Sequence, residues 1–139
     1  MLRGRCHSNY TDCLTDMDLG EYVTRFRAEQ CVASLVAVTP NASFHYVSSC
    51  DGRVSAITDI RHTNLRVNGG FFIFRQTIFD HLGPNEELVE GPFSRLMAAG
   101  QLMAYEYDGF WKAMDTFKDK QQFDELLAQG SPPWEVWRR

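Results

Sequence analysis

The eight residues Cys-Val-Ala-Ser-Leu-Val-Ala-Val, 31–38, constrain the fold of this chain more than any other stretch. The run is almost continuously apolar and lacks the alternation of a strand with one wet face. A strand of this kind is covered on both sides, so the sheet that contains it needs helices packed against each face. Residues 18–26 offer one such helix. Leu19, Tyr22, Val23 and Phe26 share a face there, and Asp18 with Glu21 has capping-box spacing. A second helix is expected over 75–82. A third begins near Gly91 with Pro92 in its first turn, where the missing N–H costs nothing. A fourth runs from about Thr116 with Phe123, Leu126 and Leu127 inward, and stops at Gly130, Pro132 and Pro133.

Further strands lie between these helices. Asp51-Gly52 separates two alternating segments over 45–57 and signals a hairpin with a tight turn. Residues 67–74, Val-Asn-Gly-Gly-Phe-Phe-Ile-Phe, read as a strand whose glycines admit a close neighbour. Short strands over 102–107 and 110–114 flank Asp108-Gly109, and Trp134 and Trp137 are expected to dock the tail on the body. The pattern predicts an α/β fold with a mixed, mostly parallel sheet and flanking helices, and one domain over 1–139.

Composition narrows the function classes. Of 139 residues 44% are hydrophobic, with ten Phe, five Tyr and three Trp, which suffices for a core and excludes a disordered chain. A net charge of −4 with no basic stripe argues against nucleic acid as a ligand. No apolar run approaches the roughly 20 residues of a membrane span, and the start has no signal-peptide core. Cys6, Cys13, Cys31 and Cys50 show no Cys-x-x-Cys spacing, so they read as reduced thiols of a cytoplasmic protein rather than zinc ligands.

Few residues offer chemistry on local grounds. Asp115 precedes the last helix, where it either caps that helix, paired with Lys118, or is left free because Thr116 and Asp119 form the cap. Asp12 is a metal-ligand candidate or a turn aspartate, with Asp16 and Asp18 as alternative caps nearby. His45 has no serine or cysteine partner at an interpretable position and reads as an ordinary strand histidine.

Four segments in order, "NYTDCLTDMDL", "VNGGFF", "GFWKAMDTFKDK" and "PPWEVW", resemble the C-terminal half of the sugar-phosphate nucleotidyltransferases, most closely the glucose-1-phosphate cytidylyltransferases. They span about Asn9 to Trp137. The resemblance implies a partial nucleotidyltransferase domain, Rossmann-like in layout. It also implies transfer of CMP from CTP to glucose 1-phosphate, giving CDP-glucose and pyrophosphate, by alignment and charge neutralisation. Asp12 and Asp115 would be catalytic and hold Mg²⁺, a cation that takes one or two carboxylates beside water and phosphate oxygens. Asn68 would orient the sugar, Gly69 would leave room for the ligand, and Arg61 or Arg66 would meet the phosphate.

This chain departs from the family pattern in ways that matter. The glycine-rich Gly-x-Gly-Thr-Arg loop that cradles the triphosphate is not found, nor is the Lys-Pro element. Thr11 and Cys13 stand where the family favours glycine. The chain alone is therefore expected to be incomplete and inactive, associating as a homo-oligomer or with a separate N-terminal half. The alternative is a non-catalytic sugar-phosphate-binding or subunit-assembly module.

Overall fold

The computed structural model describes residues 5–41 and 44–138. The elements follow as β1 (Arg5–Ser8), β2 (Cys13–Thr15), α1 (Leu19–Ala28), β3 (Ala33–Val38), β4 (His45–Cys50), β5 (Arg53–Asp59), β6 (Val67–Asn68), β7 (Phe72–Arg75), α2 (Pro92–Ala98), β8 (Leu102–Tyr107), β9 (Trp111–Ala113) and α3 (Phe117–Ala128). Short 3₁₀ turns occupy Ile60–His62, Gln76–His81 and Val136–Arg138.

The apolar run becomes β3, the centre of the main sheet. It pairs in parallel with β8 along its whole length, Ala33 opposite Leu102 and Val38 opposite Tyr107. On its other edge it pairs antiparallel with β7 and β6, and β1 extends the sheet beyond β7. The expected mixed sheet with flanking helices is present, but among the described residues it is mostly antiparallel rather than mostly parallel: β3–β8 is the parallel pairing, and β1–β7, β3–β7 and β3–β6 are antiparallel.

Both faces of β3 are covered, as its composition demands. Val36 and Val38 pack with Tyr22 and Phe26 of α1, Met17, Ile73 and Tyr105. Ala33 packs with Phe93 and Leu96 of α2, Phe72, Phe74 and Ile78. Ser34 is the polar residue on the α1 side, and it accepts a hydrogen bond from the Tyr22 hydroxyl at 3.0 Å. Burial pushes the Tyr22 phenol up to about 12, against the opposing effect of that bond. Asp18 caps α1 by accepting from the amides of Gly20 and Glu21, while Glu21 pairs with Arg25 instead of completing a capping box.

Three local expectations are corrected. Residues 67–74 do not form one strand: residues 69–71 interrupt it, with left-handed φ at Gly70 (76°) and Phe71 (48°), so β6 and β7 meet β3 separately. Residues 76–81 wind as a 3₁₀ turn rather than an α-helix. Phe123 alone is buried on α3, Leu127 is exposed, and Trp137 is 70% exposed. Trp134 does dock, between Phe110 and Phe123, at 5.8 and 5.3 Å between ring centroids. One tryptophan covers the narrow inner stripe of α3 and leaves the other to solvent.

Strands β4 and β5 pair only with each other among the described residues, around left-handed Asp51 and Gly52. Val47 lies opposite Ile57, and both are exposed, as is Val54. A second small ladder joins β2 to β9 and carries the functional candidates.

Candidate functional site

Asp12 and Asp115 are 103 positions apart in sequence yet flank the same end of the β2–β9 ladder. Cys13 is registered opposite Ala113, and one residue beyond that pair the Met114 amide donates to the Asp12 carbonyl at 2.8 Å. Both carboxylates bear on the buried Cys13 thiol. Burial pushes that thiol above its ordinary value, and Asp12 and Asp115 push it the same way, against a hydrogen bond to Asn9. Both aspartates are exposed, and neither carboxylate has a hydrogen bond or ion pair among the described residues.

Thr116, not Asp115, begins α3. Its hydroxyl accepts from the Asp119 amide at 3.2 Å, and the Asp119 carboxylate accepts from the Thr116 amide at 3.0 Å, a complete capping box. The other Asp119 oxygen accepts from the Lys112 ammonium at 2.9 Å. These contacts hold the Asp119 carboxyl down at about 2, the Thr116 hydroxyl contributing most and Lys112 next. Asp115 is thereby freed from capping and lines a cleft of about 540 Å³ with Arg61, Trp111, Lys112 and Lys118. Lys118 has no ion pair among the described residues.

Asn68 stands beside this cleft rather than in its wall, where Val67 lies. Its carbonyl oxygen accepts from the Gly70 amide at 3.0 Å and its amide nitrogen donates to the Tyr10 hydroxyl at 3.2 Å. One amide proton of Asn68 and the Tyr10 O–H remain to point outward. Asn9 secures the same corner by accepting from the Phe71 amide at 2.9 Å. A Cβ on Gly70 would sit 2.7 Å from the Asn9 side-chain oxygen, and one on Gly69 would sit 3.0 Å from Val38 and 3.2 Å from the Trp111 ring nitrogen. Both glycines therefore admit protein. The backbone of Gly69 is engaged as well, its amide donating to Val36 and its carbonyl accepting from Trp111 at 2.8 Å each.

The two arginine candidates diverge. Arg61 lines the cleft and is forked onto Asp59, which holds the Asp59 carboxyl well below the usual carboxylate range. Arg66 turns the other way, to Asp108 at 2.7 Å, Glu106 at 3.6 Å and the Tyr107 carbonyl at 3.1 Å. The structure thus sets Asp12 and Asp115 at one end of the β2–β9 ladder, places Arg61 and Asp115 on one cleft that Asp12 does not line, sets Asn68 adjacent and directs Arg66 elsewhere. Asn9, Tyr10 and Lys112 were not singled out from sequence. An amide-aromatic pair just before an Asp-containing turn, and a lysine inside an apolar strand, were the signals available. Among the described residues no group of three or more His, Cys, Asp or Glu side chains converges as a metal cage, and no helix is long and apolar enough to cross a membrane.

No protein-family model matches the chain. Over 130 residues it is 30% identical to the glucose-1-phosphate cytidylyltransferase of Salmonella typhimurium, covering 92% of this chain and 51% of that protein. A Bacillus subtilis protein assigned the same activity is 26% identical over the same share of each. In fold, the chain is similar to a Bacillus anthracis protein assigned as a glucose-1-phosphate thymidylyltransferase and solved with sucrose. The TM-score is 0.62 at 15% identity, covering 90% of this chain and 55% of that one. The chain spans about half the length of the curated relatives it matches. In sequence it resembles the sugar-phosphate nucleotidyltransferases, with glucose-1-phosphate cytidylyltransferase as the name its curated relatives carry.

Proposed function

We propose that this chain is the sugar-phosphate- and cation-binding part of a nucleotidyltransferase whose complete form transfers CMP from CTP to glucose 1-phosphate. The observation that carries the reading is the placement of Asp12 and Asp115 at one end of the β2–β9 ladder, in a chain similar to cytidylyltransferases over 92% of its length. In this reaction a phosphate oxygen of the sugar 1-phosphate attacks the α-phosphorus of CTP. The bond to the β-phosphate breaks and pyrophosphate leaves with the electron pair. Little covalent work falls to side chains, so binding and alignment dominate.

The donor set fits Mg²⁺. Two carboxylates at one end of the ladder, both without a hydrogen bond or ion pair among the described residues, would supply hard oxygens and leave the remaining positions to water and phosphate, which is how this cation is ordinarily held. Bound there, Mg²⁺ would supply neutralisation of the phosphate charge. Asn68 and Tyr10 would offer their free donors to sugar hydroxyls, Asn68 oriented by the Gly70 amide and the Tyr10 hydroxyl by Asn68. Arg61 and Lys118 would balance phosphate charge from the cleft wall, and Gly69 would keep the floor of the site closely packed. Arg66 would contribute only on leaving its acidic partners.

A second reading, a non-catalytic sugar-phosphate-binding or assembly module, is favoured by the exposed apolar face of the β4–β5 hairpin. Calorimetric titration of the 139-residue chain with glucose 1-phosphate and, separately, CTP, each with Mg²⁺, tests the binding assignment. The sugar phosphate is expected to bind, more weakly in Asn68→Ala, and CTP alone is expected not to bind. Binding of CTP without binding of glucose 1-phosphate would assign the wrong substrate to this half.

A further inference from the structure

We propose that Lys112 is a positioning residue that, through Asp119, fixes the backbone at Asp115 and so aims that carboxylate at a divalent cation. The inference rests on the cation reading above. Lys112 is only 7% exposed and sits in the middle of β9. Burying an ammonium is unfavourable unless it is paired, and its ion pair crosses the strand-to-helix turn to Asp119, seven residues on. The capping box by itself needs only Thr116 and Asp119. Lys112 adds a tie between that box and β9.

The consequence falls on Asp115. The Met114 amide is held by the Asp12 carbonyl at 2.8 Å. The Thr116 amide is held by Asp119 at 3.0 Å, and the Thr116 hydroxyl donates to the same oxygen at 2.6 Å. Asp115 lies between two pinned residues, while its own carboxylate makes no hydrogen bond among the described residues. Its aim is therefore set by backbone alone, and the strength of the second pin depends on where Lys112 holds Asp119. Partners of this kind, one step removed from a metal, commonly change metal affinity when mutated.

Coulomb's law and positioning give opposite signs for one substitution. Lys112→Met keeps length and removes a positive charge from the wall of the cleft that Asp115 also lines. On charge alone, the variant would bind a cation more tightly. If Lys112 positions Asp115, the variant binds it more weakly.

The experiment is Mn²⁺ binding to the 139-residue chain, followed by the loss of the free-ion electron paramagnetic resonance signal. Asp12→Ala and Asp115→Ala are expected to abolish binding. Lys112→Met is expected to weaken it about 10-fold or more, and Lys112→Arg to recover most of the loss. Thr116→Ala, which leaves every charge in place, is expected to weaken binding in the same direction, and it decides the matter if circular dichroism shows Lys112→Met to be unfolded. Binding that survives both aspartate variants, or no binding by the parent chain, would remove the cation reading and this inference with it. Binding lost in the aspartate variants but equal or tighter in folded Lys112→Met, or unchanged in Thr116→Ala when only that variant folds, would overturn the positioning role and leave the cation reading standing.

Discussion

Gly70 shows how a single residue shapes the candidate site. Its φ of 76° is left-handed, and the space a side chain would take is filled by Asn9 and Tyr10. Gly52 has nearly the same φ, 74°, but opens onto empty space. Replacing either glycine by alanine carries the conformational penalty of about 1–2 kcal/mol, and only Gly70→Ala adds the clash. Urea denaturation is expected to show Gly70→Ala as the more damaging change, with a total loss of about 2–3 kcal/mol. Equal losses at the two positions would mean that Asn9 and Tyr10 yield freely and do not define the corner around Asn68. That a close neighbour meets this Gly-Gly pair was legible in the sequence. The neighbour was not, because Asn9 lies 61 positions away and nothing local to the glycines names it.

Among the elements, the β9–α3 junction was the most readable, and for a physical reason. A capping box is a four-residue pattern, so Thr116 and Asp119 could be named from their spacing, but that spacing left Asp115 as an equally open cap, and the structure decides for Thr116. The Lys112–Asp119 pair spans a strand, a turn and a helix start, and no spacing rule covers it. The break between β6 and β7 was likewise hidden, since apolar residues continue on both sides of the two glycines and only the pairing with β3 separates them. The junction also carries a pH dependence. Because the folded state holds the Asp119 carboxyl at about 2 against an ordinary 3.8, its contribution to stability is present above about pH 4 and is lost as pH falls towards 2. Denaturation midpoints measured across that window are expected to fall less steeply in Asp119→Asn than in the parent chain. Parallel profiles would show that the carboxylate is not held ionised by its neighbours.

At the scale of the molecule, one covered strand organises two cores, with α1 on one face of β3 and α2 on the other. This much followed from the run at 31–38, whose composition requires cover on both sides. The isolation of the β4–β5 hairpin did not follow, since its alternating sequence is equally that of a strand pair packed against a sheet. A two-stranded ribbon with exposed valines and isoleucine is marginal by itself. Its exposure accords with a chain that matches about half the length of its curated relatives. The cleft at Asp115 opens at the foot of this ribbon, beside Phe44 and Arg61.

The most direct test is pyrophosphate release with Mg²⁺, CTP and glucose 1-phosphate. It would be measured for the chain alone and for the chain fused to the half of the Salmonella typhimurium relative that it does not match. No release is expected from the chain alone, release is expected from the fusion, and Asp115→Ala is expected to abolish it. A folded fusion that binds both substrates without releasing pyrophosphate, or one whose activity is indifferent to Asp115→Ala, would contradict the proposed function.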